Sequence, residues 1–213
     1  MVHVMEYDFD RCFQNLGTRL FKSLGEAHKL IAKLPLDLDM GFAGFRIVQI
    51  NKSFYKYNLL ADMFDRNADF KKYFSDIAEM VECPKMLEMH LYKSVLYLIM
   101  DREKACGFMS LQIDNASDGK VSVELGYGVD KDFRGRGIAM ASRQAMDRFI
   151  FKNIPEVDVV LHSVSLKNER SIRASKKLPD YYDYKCEPNI MGRTVGKYSL
   201  TREAFARIKS KQY

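Results

Sequence analysis

The segment Phe133-Arg-Gly-Arg-Gly-Ile-Ala139 constrains this chain more than any other. It follows a run of strand character, Val121 to Val129, and precedes a run able to form a helix, Met140 to Phe151. A strand that turns through closely spaced glycines into a helix leaves several backbone N–H groups converging at the positive end of the helix dipole. Gly135 and Gly137 let the backbone bend and approach closely, and Arg134 and Arg136 add charge. A diphosphate is the natural occupant. The chain carries no Gly-x-x-x-x-Gly-Lys-Ser/Thr, and no Gly-x-Gly-x-x-Gly opening a helix near its front, so a P-loop or dinucleotide mode is not indicated.

Bulk properties bound the rest. A chain of 213 residues has room for one substantial core and little room for two. No stretch approaches the ~20 apolar residues needed to cross a membrane. Glu6, Asp8 and Asp10 stand where a secretory signal would need a basic start. Cys12, Cys83, Cys106 and Cys186 are scattered without a Cys-x-x-Cys pair, which reads as reduced, mostly buried thiols in a cytoplasmic protein. His3, His28, His90 and His162 lack ligand spacing with them, so no metal is expected. The formal charge of +6 could suit nucleic acid, but the charges are mixed and no reading module stands out. Much of the excess sits near the glycine turn and downstream, at Lys131, Arg134, Arg136, Lys167, Arg170 and Arg173, where phosphates would use it.

Apolar periodicity orders the chain. Phe13, Leu16, Leu20, Phe21, Leu24, Ala27, Leu30 and Ile31 follow a helical period ending near Leu34-Pro35, so residues 1–40 read as a helical extension packed on a main domain of residues 41–213. Within that domain, strand character at Phe45 to Ile50 precedes a helix through Asp65 and a second helix from Asn67 to Met80. Strands are expected at Ser94 to Met100, Cys106 to Ile113 and Val121 to Val129, joined by turns at residues 101–104 and 115–119. The glycine turn and its helix follow, then a strand at Val157 to Val164 and a helix from Asn168 to Leu178. Tyr181 to Cys186 and Val195 to Leu200 form a closing hairpin, and a helix from Thr201 to Ile208 ends the pattern. The expectation is an α/β fold, a mixed sheet flanked by helices, with the glycine turn at the carboxyl end of a strand.

Arg134-x-x-Gly137-x-Ala139 resembles the acetyl-CoA signature of the GNAT acetyltransferase superfamily. Upstream, Val123-Glu-Leu-Gly-Tyr-Gly-Val129 is similar to that family's fourth strand. Downstream, Asn168-Glu-Arg-Ser171-Ile-Arg-Ala-Ser-Lys-Lys177-Leu178 resembles the Asn-x-x-Ser-x-x-x-x-x-Lys-Leu segment of the branch that acetylates ribosomal-protein N-termini. Tyr198-Ser-Leu-Thr-Arg-Glu203 is similar to that branch's closing strand and turn. The resemblance implies a mostly antiparallel central sheet and acetyl-CoA as acyl donor. It also implies cofactor contacts from Gly128, Val129, Arg134, Gly135, Arg136, Gly137, Ile138, Ala139 and Asn168. Gly128 and Val129 would pair with the pantetheine arm and polarise the thioester carbonyl; Asn168 is equally suited to cap the helix it opens.

Acetyl transfer to an amine also needs a route for the amine proton and a group for the departing thiolate. Glu124 is the candidate base, placed by strand alternation on one face with Gly126 and Gly128, where small residues would leave room for ligand. An ion-paired strand glutamate is the alternative. Ser175 stands where the family often has an acidic tyrosine, and reads as a helix-surface residue. Pro179-Asp180 stands in place of the family's Gly-Phe, so Tyr181 or Tyr182 becomes the candidate acid, against a role as strand-edge aromatics. Two functions follow. One is an N-acetyltransferase acting on a protein N-terminus or small amine, a monomer or homodimer without nucleic-acid or membrane partners. The other is a catalytically weak CoA-binding or scaffold protein of the same fold.

Overall fold

A computed structural model of the chain describes residues 27, 29–50, 54–82, 94–115, 120–176, 182–188 and 194–211. Most of the expected apolar stripe from Phe13 to Leu24, together with Cys12, Cys83, the Pro179-Asp180 pair and Tyr181, lies outside them. Eight strands form one sheet, in the order β1 (Asp37–Asp39), β2 (Phe45–Gln49), β3 (Ser94–Asp101), β4 (Lys104–Asn115), β5 (Val121–Val129), β6 (Val157–Ser165), β8 (Thr194–Thr201), β7 (Asp183–Pro188). Every neighbour pair is antiparallel except β5 and β6. β5 and β6 run parallel because helix α4 (Ile138–Asn153) carries the chain back over the sheet between them.

Alternation in β3 shows how the sheet is buried on both faces. Val95, Tyr97 and Ile99 enter one apolar cluster, while Leu96 and Leu98 enter the other. On the second face lie α1 (Phe54–Arg66), α2 (Ala68–Tyr73) and α3 (Ser75–Glu82). α1 sets Tyr57, Leu60, Met63 and Phe64 inward at helical spacing. The single helix expected from Asn67 to Met80 is two, parted at Phe74, whose φ of -130° and ψ of 55° leave the helical region. Phe74 turns its ring toward Phe108 instead, with centroids 4.9 Å apart.

On the first face lies α4, with Met146 and Ile150 buried beside Val123, Leu125 and Val160. Ala27, Leu30 and Leu34 are buried in the same cluster, and Lys33 pairs with Glu156. Strand β1 falls inside the segment read as a helical extension; Asp37 is drawn to Arg46 across the β1–β2 pair. α5 (Glu169–Ser175) and α6 (Arg202–Lys211) complete the layers. Arg202 fastens α6 by donating to the carbonyls of Phe151, Ile154 and Val157 at 2.6–3.0 Å. Among the described residues no helix is long and apolar enough to cross a membrane.

Candidate active site

Strands β5 and β6 share four register pairs, the last being Glu124 with Leu161. β5 nevertheless stays paired to β4 as far as Val129, and β6 to β8 as far as Ser165. From Leu125 and His162 outward the two strands therefore diverge, and the sheet opens into a wedge. The β6-facing backbone groups of residues 125–129 are left without a strand to bond. An extended chain entering there can complete the sheet as an added strand does.

A cavity of about 620 Å³ fills this wedge. Leu125 to Val129 and His162 to Ser165 form its two strand walls, Phe70, Tyr73 and Phe74 its cover, and the glycine turn and α5 its outer mouth. α2 is tied across that mouth. Asp69 accepts from Arg170 at 2.7 Å and pairs with Arg134 at 3.1 Å, and the Tyr73 hydroxyl donates to the Lys167 carbonyl. The Arg170 hydrogen bond, with Arg134 behind it, holds the Asp69 carboxyl below the usual range despite some burial.

The turn is built from below. Asp130, buried, accepts from the Asp132 N–H and from Arg66, which fixes a 3₁₀ turn at Lys131–Phe133. Gly135 and Gly137 then take φ of 79° and 80°, the left-handed region that favours glycine. Gly137 is the N-cap of α4 and has no side chain to occupy the first free N–H groups of that helix. Ile138, Ala139 and Met140, which supply those groups, border the cavity. The turn thus presents backbone donors and a helix N-terminus to whatever enters.

Both arginines of the turn are engaged within the protein, and Arg134 also borders the cavity. Arg134 donates to the Val129 carbonyl at 2.9 Å and lies 5.9 Å from the Phe70 ring centre, besides its pair with Asp69. Arg136 donates to the Asp132 carbonyl and stacks on Phe133. Asn168 accepts from the Ser171 N–H at 3.1 Å, the capping role, and also borders the cavity.

The space expected over Gly126 and Gly128 is occupied. A Cβ on Gly128 would stand 2.6 Å from Phe108 and 2.8 Å from Phe70, and one on Gly126 would stand 2.6 Å from the Ser110 hydroxyl. These glycines admit an aromatic cluster rather than a ligand, and face the cavity with their backbone. Glu124, half-buried, stands opposite Gln112 and Leu161 just before the strands part and is not among the residues bordering the cavity.

Tyr182, one of the candidate acids, does not border the cavity. Its ring is buried and its hydroxyl donates to Asp147 of α4, away from the cavity lining. Ser175 is buried as well, not on the helix surface. Sequence reasoning missed the group that Tyr182 joins. Arg143 and Asp147 lie one turn apart on the buried stripe of α4, and the Arg143 Nε donates to His162 Nε2 at 2.8 Å. The signal was present, since a charged pair shares the helix face of Ile150. Among the described residues, no group of three or more His, Cys, Asp or Glu side chains could hold a metal ion.

Solved structures share this fold. Among solved structures, an acetyl transferase from Salmonella typhimurium that modifies the N-terminal serine of a 50S ribosomal subunit protein superposes with a TM-score of 0.61 at 14% identity. The match covers 78% of this chain and 98% of that one. The aminoglycoside acetyltransferase AAC(6')-Ib, solved with ribostamycin and coenzyme A, gives a TM-score of 0.61 at 15% identity over 76% of this chain and 96% of that one. RimL, a ribosomal alpha-N-protein acetyltransferase solved with coenzyme A, gives 0.57 at 15% identity over 75% and 95%. No curated protein matches by sequence. The family model described as "Acetyltransferase (GNAT) domain" matches residues 55–178, more than half of the chain. That span holds α2, β5, the glycine turn, α4, β6 and α5, every element that borders the cavity, and the chain belongs to the acetyltransferase (GNAT) domain family.

Proposed function

We propose that the protein transfers the acetyl group of acetyl-CoA to a primary amine, a protein N-terminus or a small amine, with the cofactor lying in the wedge between β5 and β6. The observation that carries this is the alignment of wedge and turn. An unpaired strand edge, residues 125–129, leads directly to a turn whose N–H groups suit a diphosphate. The pantetheine arm extends along β5 with its amides bonded near Gly128 and Val129, and the diphosphate meets Gly135, Gly137, Ile138 and Ala139. Arg136 is exposed there, Arg134 is half-buried and braces the turn, and Asn168 borders the arm. Solved neighbours contain coenzyme A or acetyl-CoA, which supports the choice of cofactor.

In the reaction the amine nitrogen attacks the thioester carbon, and a backbone N–H of the unpaired β5 edge stabilises charge on the carbonyl oxygen. Glu124, one residue before the strands part, takes the amine proton through water. The neighbours acetylate an N-terminal serine in one case and bind an aminoglycoside in another, which supports an amine acceptor of either kind. The enzyme works in the cytoplasm as a monomer or homodimer, without metal, nucleic acid or membrane.

Acetyl-CoA should raise the melting temperature, and Gly137→Val should weaken that effect. At φ of 80° a β-branched residue is strained, although its Cβ would meet only Phe42 at 3.6 Å, so the acetyl-CoA effect is read against the variant's own lowered melting temperature. Calorimetry of the intact protein at millimolar acetyl-CoA decides: no binding refutes the proposal. A second reading, a CoA-binding protein of little turnover, draws on the commitment of the Tyr182 hydroxyl to Asp147. Binding without CoA release across a panel of peptide and small amines would favour it.

A further inference from the structure

The closed end of the wedge holds a buried polar cluster that acetyl transfer as described above does not use. His162 is the first β6 residue beyond the last β5–β6 pair, and it borders the cavity. Arg143 and Asp147 reach it from α4, their side chains 0% and 3% exposed. The Arg143 Nε donates to His162 Nε2 at 2.8 Å, and the guanidinium carbon lies 4.2 Å from the Tyr182 ring centre. Tyr182 in turn donates its hydroxyl to Asp147.

These contacts fix the imidazole. Nε2 also lies 3.4 Å from Asp147 Oδ1, but an arginine has donors and no acceptor, and its shorter contact assigns Nε2 as the bare nitrogen. A neutral ring then carries its proton on Nδ1. Burial favours that neutral form by lowering the His162 pKa, in opposition to Asp147, which raises it. The Nδ1 atom has no hydrogen-bond partner among the described residues, although the residue is 1% exposed. A buried donor without an acceptor is costly, and a ligand in the adjoining cavity can supply the acceptor.

We propose that His162 is a catalytic hydrogen-bond donor, its Nδ1–H meeting the thioester sulfur at the apex of the wedge and stabilising the thiolate as it departs. The inference rests on acetyl-CoA occupying the wedge: an arm running inward from the glycine turn ends where β5 and β6 meet, between Leu125 and His162. The amine lone pair forms the C–N bond while the carbonyl π pair moves to oxygen. When that pair returns, the C–S bond breaks and its electrons pass to sulfur. The amine proton leaves to Glu124 or water. The thiolate keeps its hydrogen bond from Nδ1–H and takes a proton from water, so His162 begins and ends neutral. A neutral imidazole polarising a substrate atom is established chemistry. Arg143, Asp147 and Tyr182 are positioning residues: the first sets the tautomer, the second balances its charge, the third orients the second.

The test uses the full chain with ¹⁵N-labelled histidine. One of the four histidines should show the neutral Nδ1–H tautomer, identified by its loss in His162→Gln. CoA should move that Nδ1 resonance, and desulfo-CoA, the same molecule without its thiol, should leave it in place. In kinetics His162→Gln, whose amide falls near Nε2, should lose about 10²-fold in kcat with the KM for acetyl-CoA unchanged. His162→Asn, whose amide falls near Nδ1, should recover about tenfold of that. Equal shifts with the two ligands, an Nε2–H tautomer, or full turnover in His162→Gln overturns the role of His162 alone. Failure of both ligands to bind overturns the acetyl-CoA placement with it. Should His162→Gln fail to fold, the wild-type spectra with CoA and desulfo-CoA decide.

Discussion

At the scale of single residues, two glycines of the site are required for different reasons. Gly137 is set by its backbone, with φ of 80° and no contact for an added Cβ closer than Phe42 at 3.6 Å. Gly128 is set by its neighbours, with Phe108 and Phe70 inside 3 Å of where a Cβ would be. Gly128→Ala should therefore overpack the aromatic cluster and cost about 1–3 kcal/mol of stability, read as a lower urea midpoint at unchanged slope. An unshifted midpoint would mean that Phe70 and Phe108 yield freely. The His162 ring makes a prediction in pH. Its folded pKa is lowered from 6.5 by burial, so the unfolded chain binds the proton more readily. The stability this neutral ring contributes is complete above pH 6.5 and is lost as the pH falls through the lower folded value. Wild type should lose stability over that interval more steeply than His162→Gln, and parallel curves would show that the ring is free to take up a proton when folded. The sequence displayed the glycine turn plainly because its letters are rare in combination. It hid the aromatic filling of Gly126 and Gly128, because that depends on which helix crosses the strand.

At the scale of elements, α6 is held by side chain as much as by apolar packing. Arg202 reaches three carbonyls at the end of α4 and the start of β6, and stacks on Phe151 with its guanidinium carbon 5.3 Å from the ring centre. Arg202→Met should keep the stack and lose the hydrogen bonds, at a cost of about 2 kcal/mol. The cavity is untouched, so turnover per folded molecule should persist; a loss of activity at full stability would contradict the assignment. Long periodic elements such as α4 and β3–β5 were legible because burial on one or both faces writes itself into the apolar spacing. β1 was not, since Asp37-Leu-Asp39 has no strand character of its own and is ordered by pairing with β2. The break at Phe74 was likewise invisible. Helical spacing places Phe70 and Phe74 together, and only contact with Phe108 from the sheet makes it worthwhile to leave the helix.

At the scale of the whole molecule, the order of β1 to β5 follows from consecutive neighbours in sequence. The order β6–β8–β7 does not: a closing hairpin was evident, but nothing local says that β8 rather than β7 lies against β6. That choice matters, because β8 sets Tyr198 beside His162. The parallel junction at the centre has a mechanical consequence. Five strands on one side and three on the other are two leaves, joined at the seam by four residue pairs and the α4 crossover and at the mouth by the ties from α2 to Arg170 and Lys167. A molecule lying along the seam is a splint, and its benefit should be local. With acetyl-CoA bound, deuterium uptake should slow at the seam-facing amides of residues 125–129 and at the first amides of α4, while the outer leaf of β2 and β3 keeps its own rate. Uniform slowing across all eight strands would show the opposite, that the leaves already move as one plate and the splint merely deepens a stability they share.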